Sequence, residues 1–304
     1  MEAVFPNGLF VSVDEKNYPG LFFALHGGGG NTWSIVTSIY MRAYPETSIT
    51  SLSYRFNTGS NVSVEIFWSG VAAVFAVFPK YVDAGNFQPL VPHLGIDMNV
   101  DNLQTVSARL FSNLAALSIA VYGVRYTEFN GVRDTVLNTW SAEAESAGGW
   151  SFHTASRVFL RFNWEDTSIE MAGYVLEYNV KTGVNPSVNP SFRETLTHIM
   201  LGATWGQEAI PEEIAAASKK LVEQVQPWRE ASPGAAAYLN EADINEPNLQ
   251  QAYCGSTTII CTSSSKSTTL WGVLCATTAV GSEHWYIMDQ IDYYLTQNGR
   301  LCPK

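Results

Sequence analysis

Four consecutive glycines, Gly27 to Gly30, followed by Asn31 and Thr32, are the first stretch of this chain with chemical content. Such a run lets the backbone pass close to a flat ligand or a pyrophosphate, with its N–H groups turned outward. No Gly-Lys-Ser/Thr follows, so it is not a Walker loop. A strand-like stretch comes next, so it is not a dinucleotide fingerprint either. Taken alone, the run also suits a plain flexible turn. The five histidines, His26, His93, His153, His198 and His284, are scattered, and each alone fits a core or surface position better than a ligand role. His198 differs by its register. In residues 196–205, read as a strand, Thr197, Ile199, Leu201, Ala203 and Trp205 share one face, and Leu196, His198, Met200, Gly202 and Thr204 share the other. His198 is the titratable group on its face, which makes it a candidate substrate contact; an ordinary strand histidine is the other reading. Arg193, just before this strand, can pair a ligand carboxylate or cap the loop. Cys254, Cys261, Cys275 and Cys302 have no metal-ligand spacing, so buried thiols or one disulfide are expected rather than a metal. No G-x-S-x-G motif marks a serine hydrolase.

The elements that must position these residues belong to a well-packed chain. Of 304 residues, 46% are hydrophobic and only 15% charged, too few charges for a solvated disordered chain. The formal net charge of −11 repels phosphate backbones, which argues against nucleic acid as a partner. No polybasic run suits an anionic membrane surface, and no run of about 18 apolar residues is found, so no membrane contact is expected. Met1 to Pro6 shows neither a basic nor an apolar leader region, so no signal peptide is expected. The Asn61-Val62-Ser63 sequon matters only in a secreted chain.

Strands are expected at residues 9–14, 33–42, 50–56, 119–126, 170–180 and 196–205. Helices are expected at residues 17–25, 62–82, 101–117 and 211–226. The third has Asp101 or Asn102 as its cap, and the last has Pro211 in its first turn. Residues 182–192 read as a loop. Strands and helices alternate without the period of a βαβ array, which favours α+β.

Three stretches then carry a resemblance. Leu21 to Ser38 closely resembles the segment of berberine-bridge-type oxidases that closes the flavin domain and lays its glycines against the cofactor. His26 stands where that family usually has Arg, and Ser34 where it often has Gly. Tyr238-Leu239-Asn240-Glu241-Ala242-Asp243, with Glu246-Pro247-Asn248 and Tyr253-Cys254-Gly255-Ser256, is similar to a run found especially in the fungal members. Thr277 to Trp285 and Asn298 to Pro303 resemble the family's C-terminal ending. The middle of the chain matches only loosely.

The resemblance implies an α+β fold. Residues 1–45 would be the C-terminal part of a vanillyl-alcohol-oxidase-like FAD-binding domain. Residues 46–229 would form a substrate domain with an antiparallel sheet covered by helices, and residues 230–304 would return to the FAD domain. FAD is the implied cofactor, with Gly27, Gly28, Gly29, Gly30, Asn31, Thr32 and Asn240 against it. Tyr238 and Glu241 would be catalytic, with Glu241 as a base whose carboxyl is raised beside a flavin and an aromatic wall. His198 and Arg193 would face a small-molecule substrate. The implied function is an FAD-linked oxidoreductase, an oxidase or dehydrogenase of secondary metabolism. The alternative is a truncated, inactive remnant or a non-redox small-molecule-binding protein. The family's larger flavin-anchoring segment has no counterpart in residues 1–20, which makes such a segment an expected partner.

One stretch departs from the resemblance. Where the family has a helix, residues 257–270 have no amphipathic stripe and many poor helix formers. A back-translation of residues 256–270, read from its third base, spells a peptide close to that helix. Two compensating frame slips are one explanation, and a genuine Ser/Thr-rich loop is the other.

Overall fold

The computed structural model describes residues 1–29, 32–84, 93–139, 151–162, 187–241, 243–258, 276–296 and 298–304. It also describes Cys261, Leu274 and the backbone of residues 86–87 and 174–176. Strands β1 (Glu2–Val4), β2 (Phe10–Ser12) and β3 (Ile35–Ser38) form an antiparallel sheet in the order β2-β1-β3. Helix α1 (Pro19–Leu25) lies between β2 and β3. Pro19 opens it, where a missing N–H costs nothing. Gly27, at φ +117°, ends it, and Gly28 donates its N–H to the Ala24 carbonyl at 3.1 Å. The expected strand over 33–42 is thus shorter, because Trp33 turns inward and is fully buried.

The second sheet holds β4 (Ile49–Arg55), β5 (Asn86–Phe87), β6 (His93–Ile96) and β7 (Tyr122–Phe129), in the order β5-β6-β4-β7. Helices α2 (Val64–Phe75), α3 (Phe78–Asp83), α4 (Val100–Ala116) and α5 (Val132–Thr139) accompany it. The single helix expected over 62–82 is divided at Ala76–Val77, just before Pro79. The stretch Val64–Asp83 is long and apolar enough to cross a membrane by length and mean composition alone, although Glu65, Lys80 and Asp83 interrupt it. Its inner side, with Val74, Val77, Phe78 and Tyr81, joins the core. Asn99, not Asp101 or Asn102, caps α4, accepting the Asn102 N–H at 2.9 Å. Extended backbone at Asn99 lets its side chain reach back over the first turn.

The third sheet holds β8 (Phe152–Leu160), β9 (Tyr174–Leu176) and β10 (Thr195–Thr204), in the order β8-β10-β9. The remainder of the expected strand 170–180 and residues 182–186 of the expected loop lie outside the described residues. Pro190–Arg193 make a 3-10 turn into β10. Helix α6 (Pro211–Ala231) covers one face of this sheet. It runs past the expected end at Gln226 and through Pro227, because Leu221, Val225 and Trp228 stay buried on one stripe. Helix α7 (Leu249–Tyr253) and a hairpin of β11 (Trp285–Ile287) and β12 (Leu301–Pro303) follow.

Two main apolar cores result. One gathers Leu52, Phe78, Leu110, Phe159, Ile199 and Leu221 from the middle of the chain. The other joins its two ends: Ala3, Val11, Leu21 and Trp33 pack with Ala237, Tyr253, Cys261 and Val280.

Candidate functional site

β8 and β10 set the geometry. They pair antiparallel, with His198 opposite Val158, Met200 opposite Ser156 and Gly202 opposite Thr154. Alternation therefore puts His198, Ser156 and Thr154 on one face, and His153, Arg157 and Ile199 on the other. The outer edge of β8 is covered by the segment after α6. Val158 donates its N–H to the Ala236 carbonyl at 2.9 Å, and Ser156 Oγ accepts the Tyr238 N–H at 3.0 Å. Thr154 Oγ1 donates to the Glu241 carbonyl at 3.5 Å. These bonds fix the 3-10 turn Leu239–Glu241 beside the face that carries His198.

There the expected residues converge. Glu241 Oε2 lies 3.6 Å from His198 Nε2. The Tyr238 ring meets the His198 ring edge-on, with centroids 5.8 Å apart, and meets Phe192 at 6.3 Å. Asn240 Nδ2 donates to Tyr238 Oη at 2.7 Å. His198 is fully buried, and burial pulls its imidazole down to about 4. Burial pushes the Glu241 carboxyl above the usual carboxylate range. A neutral imidazole thus stands beside a carboxylate of raised basicity.

The glycine turn joins the same place. Leu239 lies between Tyr238 and Asn240 in the chain, and a Cβ built on Gly29 would come 2.7 Å from its Cδ2. Gly27 and Gly29 are exposed and adopt positive φ, whereas Gly28 is buried against Trp33. Thr32 is half-buried at the end of the turn. Gly30 and Asn31 lie outside the described residues. Ser187 ties the turn down, its N–H donating to the His26 carbonyl at 3.1 Å and its hydroxyl to the Ala24 carbonyl at 2.9 Å. The Trp33 indole donates to the Cys261 carbonyl at 3.2 Å, while residues 262–270 of the anomalous stretch lie outside the described residues. Arg193 is exposed on the turn before β10, and no described hydrogen bond or ion pair joins it to this cluster.

Sequence reasoning set His153 aside, and the structure brings it in. His153 Nε2 lies 3.4 Å from Asp243 Oδ1, and its Nδ1 lies 3.1 Å from Ser218 Oγ on α6. Arg229, also on α6, grips the Glu246 carboxylate through both Nε and Nη2, the latter at 2.7 Å, and lies 3.8 Å from Asp243 Oδ2. Alternation in 152–160 was the signal available for β8. The charge of Arg157 on the sheet's helix-covered face hid it. A separate cleft of about 510 Å³ opens beside the C-terminal hairpin, lined by Leu249, Glu283, Trp285 and Leu301 among others. It includes none of Gly27, Tyr238, Glu241 or His198.

No family profile matches the chain. It is 26% identical over 284 residues to an FAD-linked oxidoreductase of Gibberella zeae, covering 84% of this chain and 48% of that protein. It is 25% identical over 328 residues to a VAO-type flavoprotein oxidase of Thermothelomyces thermophilus, covering 99% of this chain and 55% of the relative. Among solved structures, a VAO-type flavoprotein of Myceliophthora thermophila superposes with a TM-score of 0.82 at 23% identity, covering 100% of this chain and 58% of that one. A berberine-bridge-like protein of Physcomitrella patens superposes with a TM-score of 0.66 at 16% identity, over 93% of this chain and 65% of that one. The fold is therefore that of VAO-type and berberine-bridge-like flavoproteins. The chain is a homologue of fungal FAD-linked oxidoreductases of this type, for which FAD is the expected cofactor, and it spans about half the length of those relatives.

Proposed function

We propose that this chain forms the substrate-facing side of an FAD-linked oxidoreductase that acts on a small organic molecule in fungal secondary metabolism. The meeting of Glu241, His198 and Tyr238 beside the exposed glycine turn carries the reading. The residues present fit one edge of a flavin. Gly27 and Gly29 offer exposed backbone without side chains, Asn240 offers an exposed amide, and Tyr238 offers a half-buried aromatic flank. Thr32 extends this edge on the same reading, while Gly28, buried against Trp33 with its N–H on the Ala24 carbonyl, serves packing and is not a flavin contact. Bound there, FAD would take a hydride from the substrate. Glu241 takes the accompanying proton from a substrate O–H or N–H, a task suited to a carboxylate made more basic by burial. His198, kept neutral by its own burial, directs the Glu241 carboxylate without neutralising it. Tyr238, held through its hydroxyl by Asn240, limits how the substrate lies. Arg193 pairs with a substrate carboxylate at the rim.

A flavin needs most of its surface covered to bind tightly. The same reading supplies a further flavin-domain segment as the cover for the apolar edge at Ile35, Val36, Ile39, Tyr40 and Met41, all exposed. It also divides the chain into residues 1–45, 46–229 and 230–304. Titrating FAD with the purified chain tests it: weak but saturable quenching of flavin fluorescence is expected, and emission unchanged at high protein concentration defeats it. The exposed apolar edge equally favours a second reading, an inactive remnant or non-redox binding protein. Colourless protein that gains no stability from FAD selects that one.

A further inference from the structure

The turn after Tyr238 steps over the outer edge of β8, and its two carboxylates come down on opposite faces of that strand. Glu241 reaches His198 on one face, and Asp243 reaches His153 on the other. The Asp243 side is the more firmly built. Its Oδ1 accepts the Asn245 N–H at 2.8 Å, and its carbonyl accepts the Tyr253 hydroxyl at 2.7 Å. Arg229 holds the next carboxylate, Glu246, through two donors and stands near Asp243 as well. Asp243 is 2% exposed, whereas Glu241 has a quarter of its side chain exposed. One end of the turn is anchored in the interior, and the other ends at the candidate site.

We propose that Asp243, bonded to Asn245 and Tyr253 and flanked by His153 and Arg229, is the positioning residue for Glu241, clipping the turn over β8 so that the Glu241 carboxylate stays against His198. This rests on the reading of Glu241 as the proton-accepting group. The charged and titratable groups around Asp243 are His153 from β8, Arg229 from α6, and Glu246 and Tyr253 from the segment that follows. Arg157, on the same face of β8 as His153, donates to the Ser232 carbonyl at 2.9 Å and so ties the start of the covering segment to that strand. The clip needs no cofactor to operate, because every contact is made by the chain itself.

The test is nitrogen NMR of the histidine side chains in the full chain near neutral pH, with amide exchange measured in parallel. In the unaltered chain the His198 proton is expected on Nε2, facing Glu241. Asp243→Ala is expected to mix the two His198 tautomers and to speed exchange of the Glu241 amide about tenfold, with β10 amides unchanged. Asp243→Asn, which keeps the shape and an acceptor, is expected to restore most of the original His198 signal. His198 signals and Glu241 exchange that stay as in the unaltered chain, in a folded Asp243→Ala variant, overturn the proposal. Should that variant not fold, His153→Phe removes the contact to Asp243 while keeping a ring, and unchanged His198 signals there overturn it equally. A coupled response in a chain that binds no flavin sinks the flavin reading and leaves the clip standing. Flavin binding without the response sinks the clip alone.

Discussion

Gly29 and Leu239 come together across 210 positions of sequence, close enough that a Cβ on the glycine would sit 2.7 Å from the leucine Cδ2. This contact brings the glycine turn against the turn that carries Glu241. Gly29 also has φ +75°, a conformation that costs side-chain-bearing residues strain. Gly29→Ala is expected to lower stability by about 1–3 kcal/mol, since the tip of Leu239 can move aside. Gly28→Ala should cost more, about 3 kcal/mol or beyond, because a Cβ there would run into the Ala24 carbonyl and the Trp33 ring. Urea unfolding of both variants, giving the order Gly28→Ala worse than Gly29→Ala, checks the packing of this corner.

Burial lowers the pKa of three histidines, His93, His153 and His198, and the first and last of these set an acid limit on the fold. An unfolded histidine titrates near 6.5. In the folded chain His93, bonded to Tyr54 at 3.0 Å, is held down to about 3, and His198 to about 4. Below pH 6.5 the unfolded chain therefore binds protons that the folded chain does not. Their effect is absent above that pH, and stability falls as pH drops toward 4 and then 3, by up to roughly 1.4 kcal/mol per pH unit for each histidine. Unfolding midpoints measured between pH 7 and pH 5 should decline, and His93→Gln should flatten the slope. An unaltered slope in that variant would remove His93 from the explanation.

Glu241 has the opposite sign. Its folded carboxyl is raised by burial, so the folded chain is the better proton binder and loses stability as pH rises past the unfolded carboxylate value. Glu241→Gln is expected to raise the melting temperature at neutral pH while removing the proton-accepting group. Melts at pH 7 and pH 4 distinguish this from a general packing effect, because the gain should shrink at the lower pH.

Arg229→Met leaves the Glu246 carboxylate buried without its partner, which should cost about 3–5 kcal/mol. Changing Glu246→Leu in the same chain should recover part of that loss, since it removes the stranded Glu246 charge while Asp243 still lacks its neighbouring guanidinium. Denaturant titrations of the single and double variants provide the comparison. A double variant as unstable as Arg229→Met alone would show that the ion pair is not the cause.

The coding sequence across residues 256–270 is expected to spell a helix-like, amphipathic peptide in its displaced frame. Sequencing transcripts through that region checks it. A displaced frame without such a pattern leaves the Ser/Thr-rich stretch as the evolved one.

The sequence by itself determined the elements whose pattern is local. The β10 alternation, with His198 on its own face, needed only neighbouring residues, and so did the start of α6 at Pro211 and the turn at Gly27 to Gly29. The tertiary structure alone decided what those elements face. Nothing near His198 in the chain names Glu241, and nothing near His153 names Asp243, because each pair forms only when the segment after α6 is laid along the edge of β8. The extension of α6 through Pro227 follows the same rule. It is set by which apolar surface finds a partner, a property of the packed chain that local periodicity does not contain.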